Sequence, residues 1–363
     1  MNSNETERSE SIVAGVMSLS MLIAAAMLPA LIVQERVLAQ EIAIPAIAKH
    51  QGWVTFVQFT PDGKQLLTVG GESLQFRPGQ VNLWNAENGD LIQSFEGHKT
   101  NVWSASFSRD GKQLVTASYD GKVLVWDVEK KSLVKTLDKH SRWCRSVVHT
   151  PDSSKFATAS EDGSVIVWDA ETLEVVKTLK LHDSAIYQIA ISRDGSLLAT
   201  ASVDKTSKLV AWDSDKEIAT LNHDDAVWCV AFSPKDDVLA TSGAGKKIRL
   251  WDHTGKEQGV ISGPKDWVTG LSFSNKDNLL ASGCYDGSVQ LWNTESLKNE
   301  ASLDGFTSSV WSVSFSPQGD SLAAGSHKNS AIVWDVASRK QRLGPPLAKK
   351  PEKPRPEKTP PQK

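Results

Sequence analysis

Residues 98–127 read HKTNVWSASFSRDGKQLVTASYDGKVLVWD, and they carry one complete structural unit. Three short β-type runs follow one another: VWSASF, LVTAS and VLVW. Between the first two lies SRDG, where Asp and Gly supply the geometry of a tight turn. The same unit recurs along the chain. Trp84, Trp126, Trp168, Trp212, Trp251, Trp292 and Trp334 are spaced by 42, 42, 44, 39, 41 and 42 residues. Each closes a run of the same kind: VNLW, VLVW, VIVW, LVAW, IRLW, VQLW and AIVW. Upstream lie runs such as FATAS, LLATAS and LLASG, and each unit opens on a third, such as IYQIAI, VWCVAF or VWSVSF. Three visible strands and a fourth leading into the next unit make a four-stranded antiparallel blade.

Composition narrows the classes of function. The chain has 363 residues, 40 Lys and Arg against 43 Asp and Glu, and a net charge of −3. That balance argues against a nucleic-acid binder, which would show a basic excess. With 40% hydrophobic and 23% charged residues there is ample material for a core. Three cysteines are too few for a disulfide scaffold. Cys144, Cys229 and Cys284 sit in separate hydrophobic strand patterns and read as buried free thiols, so no disulfides are expected.

A period of 40–45 residues with these signatures resembles the WD-repeat β-propeller family. The resemblance covers about residues 42–348, with the propeller domain placed at 42–343. It implies an all-β fold: a closed ring of seven four-stranded antiparallel blades around a central channel. Closure removes the sheet edges that would invite aggregation. Two segments compete for the outermost strand of the last blade, Ile42–Ala48 and Lys340–Leu347. The N-terminal one is favoured, because chain ends from opposite termini would lock the ring, and Pro45 suits an edge strand.

The resemblance also assigns a buried hydrogen-bonding set in three repeats. These are His98, Ser118, Asp120 and Trp126; His140, Ser160, Asp162 and Trp168; and His182, Ser202, Asp204 and Trp212. By that resemblance the Asp orients the His, the Ser bridges, and the Trp ends the chain of bonds. A catalytic Ser-His-Asp reading fails because the trio repeats around the ring, whereas a nucleophile is needed once. Later repeats depart from the pattern: Gly245 and Lys328 replace the Asp, and Pro264 and Phe306 replace the His. No H-x-x-x-H pair, phosphate-binding loop or dinucleotide fingerprint is present, so no catalytic residue, metal or cofactor is expected.

Binding is expected on the top face. Five residues beyond the His position stand Thr55, Trp103, Arg145, Tyr187, Trp228, Thr269 and Trp311; three beyond it stand Trp53, Trp143 and Trp267. The resemblance places these positions, and the residues before the turn Asp such as Tyr119 and Tyr285, on the face used for partners. Packing between blades and a partner platform compete as readings, since Trp, Tyr and Arg dominate interface hot spots. Arg145 suits a carboxylate or phosphate, or a pairing with Glu161. The first repeat has 25 residues from Phe59 to Trp84 where five others have 19. Phe76 and Arg77, at the tip of this longer hairpin, are further contact candidates.

Both ends of the chain differ in character. Residues 12–33 carry no charge over 22 positions, enough for a helix spanning a bilayer core. Val37-Leu38-Ala39 before Gln40 fits a signal-peptidase site, so residues 1–39 are either a cleaved signal or a retained anchor. Either places the propeller outside the cytoplasm, periplasmic or extracellular, with membrane contact if the segment is uncleaved. Residues 344–363 hold seven prolines and six Lys or Arg, and read as an extended, disordered tail. The chain is thus expected to be a non-catalytic scaffold for protein or peptide partners. A small-ligand binder or enzyme using the channel, and a cytoplasmic signalling scaffold, remain alternatives.

Overall fold

The computed structural model describes residues 47, 50, 52–72, 77–235, 237–328 and 330–345. The expected N-terminal helix and most of the Pro/Lys tail lie outside the described residues, as does Phe76. Twenty-eight strands are present among the described residues, grouped into seven four-stranded sheets. Every sheet is antiparallel and consecutive in sequence. Trp53–Phe59, Gln65–Gly71, Gln80–Asn85 and Leu91–Ser94 form blade 1, and Val310–Phe315, Ser321–Ser326, Ser330–Asp335 and Gln341–Leu343 form blade 7. The seven-bladed propeller expected from the repeat is the fold observed.

Burial follows position within the blade. The second strands are packed on both faces, and Leu197–Ser202 is buried at all six positions. That explains their uninterrupted apolar and small residues, since a strand covered on both sides cannot alternate. The outermost strand Val175–Lys180 has no fully buried residue. Between neighbouring blades lie separate apolar clusters, such as Val115, Phe156, Ile166 and Trp168 between blades 2 and 3.

The first strand of each blade touches that of the next, and the strand of blade 7 touches that of blade 1, which closes the ring. Each of these strands has a ladder partner on one side only. Its other edge is bonded by side chains of the neighbouring blade. Ser104 and Ser106 accept from the Val147 and His149 amides at 3.2 and 3.0 Å. Ser146 accepts from Ile189 (3.2 Å), Gln188 from Val230 (3.0 Å), and Ser272 from Phe315 (3.0 Å). Thr55 donates to the Val102 carbonyl and Cys229 to that of Val268. Ser312 completes the circle by accepting from Val57 at 3.2 Å.

The favoured source of the last strand is corrected by the sheet order. The fourth strand of blade 7 is Gln341–Leu343, from the C-terminal side, with Leu343 paired to Val333 and Gln341 to Trp334. A five-residue turn from Asp335, in which Arg339 donates its amide to the Asp335 carbonyl at 2.8 Å, makes this a local hairpin. Local pairing forgoes the loop-closure entropy that a strand from the far terminus would have to overcome. Arg342 then ties blade 7 to blade 1 by donating to the Ala86 carbonyl at 2.8 Å. Ile47 still contributes: it is buried in the cluster with Val54, Val333 and Leu343.

Truncation after Lys340 removes the fully buried Leu343 together with Arg342. It is expected to destabilise the ring by about 3 kcal/mol or more in urea unfolding. Truncation after Pro345 should leave the midpoint within about 0.5 kcal/mol.

Candidate functional site

The register of each innermost pair slips once, and always at the same place. Pairing skips from Val102 to Ser104, from Ile186 to Gln188, from Val227 to Cys229 and from Val310 to Ser312. The same irregularity falls at residues 55, 145 and 269. The residue left out is therefore Thr55, Trp103, Arg145, Tyr187, Trp228, Thr269 or Trp311. A bulged residue loses its ladder partner and its side chain is re-aimed. Here every re-aimed side chain stands at the same level around the channel.

Thr55 and Thr269 turn their hydroxyls back onto backbone carbonyls. The other five, joined by Trp267 and Tyr285, make a closed collar. Around it, ring centroids are 6.2 Å apart for Trp103–Trp311, 6.3 Å for Trp311–Tyr285 and 5.1 Å for Tyr285–Trp267. Trp267–Trp228 follows at 4.9 Å and Trp228–Tyr187 at 6.3 Å. The last gap is filled by Arg145, whose guanidinium lies 4.7 Å from Tyr187 and 4.1 Å from Trp103. These are offset-stacked, edge-to-face and cation–π geometries, each favourable in its own right.

The collar lines a cavity of about 530 Å³. Arg145 is the one charged side chain among its lining residues. Its Nε and Nη2 both donate to Glu161 Oε1, at 2.8 and 2.5 Å, with both side chains about nine-tenths buried. Of the two partners weighed for Arg145 on the sequence, Glu161 is the one it pairs with here, and its guanidinium also lines the cavity. Three polar atoms of the lining residues are buried without a hydrogen-bond partner: Trp103 Nε1, Trp311 Nε1 and Gln58 Oε1.

The remaining contact candidates are placed elsewhere. Trp53 stacks behind Trp311 at 6.4 Å and against His327 at 4.2 Å. Tyr119 stacks on Trp143 at 3.7 Å, and the Arg145 guanidinium lies 5.1 Å from the Trp143 ring. Arg77 pairs with Glu72 at 3.2 Å and lines a different pocket with His98 and Lys99. What the sequence reading missed is the bulge. The only local trace of it is the recurrence of large polar or aromatic residues at the position five beyond the His.

The buried network differs from its expected form. The hydroxyl between His and Trp belongs to a threonine two residues before the assigned serine. Thr116 receives Trp126 Nε1 at 2.8 Å and lies 2.6 Å from His98 Nε2. Thr158 does the same for Trp168 (2.9 Å) and His140 (2.9 Å). Thr68 joins His50 to Trp84, and Thr241 joins His223 to Trp251. Thr200 lies 2.7 Å from His182 Nε2 and accepts from the Lys208 amide at 3.0 Å, while Trp212 is buried. Side chains alternate faces along a strand, so Thr116 and Ser118 point the same way. The histidine bonds the threonine, whereas the serines close the strand ends and serve the turns that follow. Ser160 and Ser202 accept from the Asp162 and Asp204 amides, and Ser118 bonds Thr100.

The aspartates orient two of the three histidines, His140 from Asp162 (3.2 Å) and His182 from Asp204 (2.7 Å). Asp120 instead accepts from the Lys122 amide. In blade 6 Ser282 serves Trp292 in place of Thr, and in blade 7, where Ala324 has no hydroxyl, Trp334 donates to the Asp304 carbonyl. Burial drives the His98 pKa down to about 3 and that of His50 to about 4, so both are neutral at physiological pH. Burial also raises the thiols, Cys284 to about 11 and Cys144 and Cys229 further. Among the described residues no group of three or more His, Cys, Asp or Glu is placed to hold a metal ion.

Comparison with known proteins bears on this architecture. A family model described as the IFT122 first beta-propeller matches residues 144–350, more than half of the chain. A second, the WD domain, G-beta repeat, matches residues 89–127. The chain belongs to the WD-repeat propellers, within the family of the IFT122 first beta-propeller. Among curated relatives, the guanine nucleotide-binding protein subunit beta-5b of Danio rerio is 33% identical over 79 residues, 21% of this chain and 18% of that protein. The intraflagellar transport protein 122 homolog of Danio rerio is 34% identical over 62 residues, 17% of this chain and 5% of its own length. Apoptotic protease-activating factor 1 of Homo sapiens is 38% identical over 69 residues, 19% of this chain and again 5% of that protein. The propeller thus matches only 5–18% of the length of these relatives. WD-repeat propellers are in general interaction scaffolds rather than catalysts.

Two measurements check the network of this WD-repeat propeller. Thr158→Val keeps the shape but leaves His140 Nε2 and Trp168 Nε1 unpaired, and is expected to lower unfolding free energy by about 3 kcal/mol. Ser160→Ala, which loses only the bond from the Asp162 amide, should lose about 1 kcal/mol or less. The second is a pH titration of stability. Unfolded imidazoles gain protons near pH 6.5, but folded His98 and His50 do so only near 3 and 4. Stability is therefore full above pH 6.5 and falls as the pH drops toward 4. Each of these two histidines contributes up to about 1.4 kcal/mol per pH unit to that slope.

Proposed function

We propose that this propeller is a non-catalytic platform that binds a protein or peptide through the top of its central channel. The observation that carries the reading is the closed collar of Trp103, Arg145, Tyr187, Trp228, Trp267, Tyr285 and Trp311. Indoles, two phenols and one guanidinium are the side chains that concentrate binding energy at interfaces. The collar borders a cavity of about 530 Å³, a size suited to a side chain or small peptide group. The general role of WD-repeat propellers as scaffolds supports the same reading, as does the name of one relative, a guanine nucleotide-binding protein subunit.

The platform works outside the cytoplasm, as an exported protein or one anchored through its N-terminal segment. This part rests on the uncharged run at residues 12–33 and the Val37-Leu38-Ala39 site before Gln40. Those residues lie outside the described structure. The mature N-terminus decides the point. A soluble exported chain beginning at Gln40 means cleavage, an intact chain in the membrane fraction means an anchor, and an intact soluble chain in the cytoplasm overturns both.

The platform itself is tested by Trp228→Ala combined with Trp311→Ala. Partners recovered with the wild-type propeller should be lost, with the ring still folded by circular dichroism. Val134→Ser, on an outer strand, should retain them. Retention of every partner by the double variant would move the binding surface away from the collar.

A further inference from the structure

We infer that the collar is built to receive a carboxylate carried on an apolar stem, and not an ammonium group. This inference rests on the collar being the binding platform and names the chemistry it recognises. An aromatic enclosure invites a cation through its π-faces. Here that position is already taken by the guanidinium of Arg145, 4.1 Å from the Trp103 ring and 4.7 Å from that of Tyr187. A second cation would find no free carboxylate there, because Glu161 is already engaged by Arg145 and none stands among the lining residues.

An anion meets the opposite arrangement. Arg145 spends only Nε and Nη2 on Glu161, and both bonds fall on a single oxygen, leaving the Nη1 donors unspent. A guanidinium has five N–H donors and commonly serves two carboxylates at once. Of the three buried polar atoms without a partner on the lining residues, two are donors, the type an anion satisfies. These are the indole N–H donors Trp103 Nε1 and Trp311 Nε1. The third belongs to the Gln58 side-chain amide, whose oxygen and nitrogen ends are interchangeable by a flip. The apolar remainder of the wall accepts the stem. A peptide offers such a carboxylate at its C-terminus or on an Asp or Glu side chain, and the chemistry is common to both.

The full-length protein is titrated with four small probes, read by quenching of indole fluorescence. They are N-acetyl-glycyl-phenylalanine with a free carboxylate, its amide, N-acetyl-glutamyl-phenylalaninamide and N-acetyl-trimethyllysyl-phenylalaninamide. At least one acid should bind tenfold or more tightly than the neutral amide, and the tighter acid identifies the source of the carboxylate. In the double variant Arg145→Gln with Glu161→Gln, which removes the buried pair without stranding a charge, that preference should vanish at an unchanged melting temperature. Trp311→Phe should weaken the acid several-fold and the amide little. Equal binding of acids and amide, no saturable binding of any probe, or tightest binding of the trimethyllysyl probe each overturns the inference. If the probes fail while Trp228→Ala with Trp311→Ala still releases partners, the platform stands and only its carboxylate chemistry falls. If the acids bind as expected but partners are retained by that variant, the platform reading is the one that falls.

Discussion

Each innermost strand of this propeller has one edge paired within its own blade and another turned toward its neighbour. Backbone N–H and C=O groups buried on that second edge need partners, because leaving them unpaired costs about 1–3 kcal/mol apiece. No fifth strand can be added inside the ring. The chain answers with short side chains: Ser104, Ser146, Ser272 and Ser312 each reach the next blade's backbone, and Thr55, Gln188 and Cys229 serve the other junctions. Short groups keep the strands close and the channel narrow. At the last junction Ser312 meets Val57, joining the end of the repeat array to its beginning.

The bulges sit one step from these contacts. Ser104, Gln188, Cys229 and Ser312 each directly follow a residue that the ladder leaves out. The strand thus alternates between a residue that fastens it to its neighbour and one that it gives up to the channel. What is given up is chemically variable, although the Thr55 and Thr269 hydroxyls also bond the next blade, at the Val102 and Val310 carbonyls. Thr55 and Thr269 turn back to the backbone, while five others present aromatic rings or a guanidinium. At those five positions a binding site can change without touching the inter-blade bonds on which the fold depends, which is how function comes to be grafted onto a common scaffold.

Farther from the axis, a second set of bonds sets how firmly each blade holds. Thr116 and Thr158 each join a buried imidazole to a buried indole, and a single hydroxyl satisfies both. Blades 6 and 7 lack the histidine, and their indoles find Ser282 and the Asp304 carbonyl instead. The networks are denser in blades 3 and 4, where Asp162 and Asp204 also engage the histidines. The neutral state of the deepest imidazoles follows from the same burial, since a charge at His98 would have no water and no acid to meet it.

Much of this was legible in the chain. The tryptophan period, the runs between its members and the turn signals determined seven antiparallel blades, because strand length and turn chemistry are local properties. The aromatic and arginine positions at the channel mouth were legible for the same reason: they recur at one offset from a repeated histidine. Tertiary structure alone decided which hydroxyl bridges His and Trp. Thr116 and Ser118 share one face of one strand, and only the position of the approaching imidazole separates them. It decided that Gln341–Leu343, from the C-terminal side, forms the fourth strand of blade 7, where the sequence offered one segment from each end of the repeat array. It decided, too, that Trp103, Arg145 and Tyr187 touch, since residues 42 apart meet only when the ring closes and a bulge in every innermost strand turns them inward.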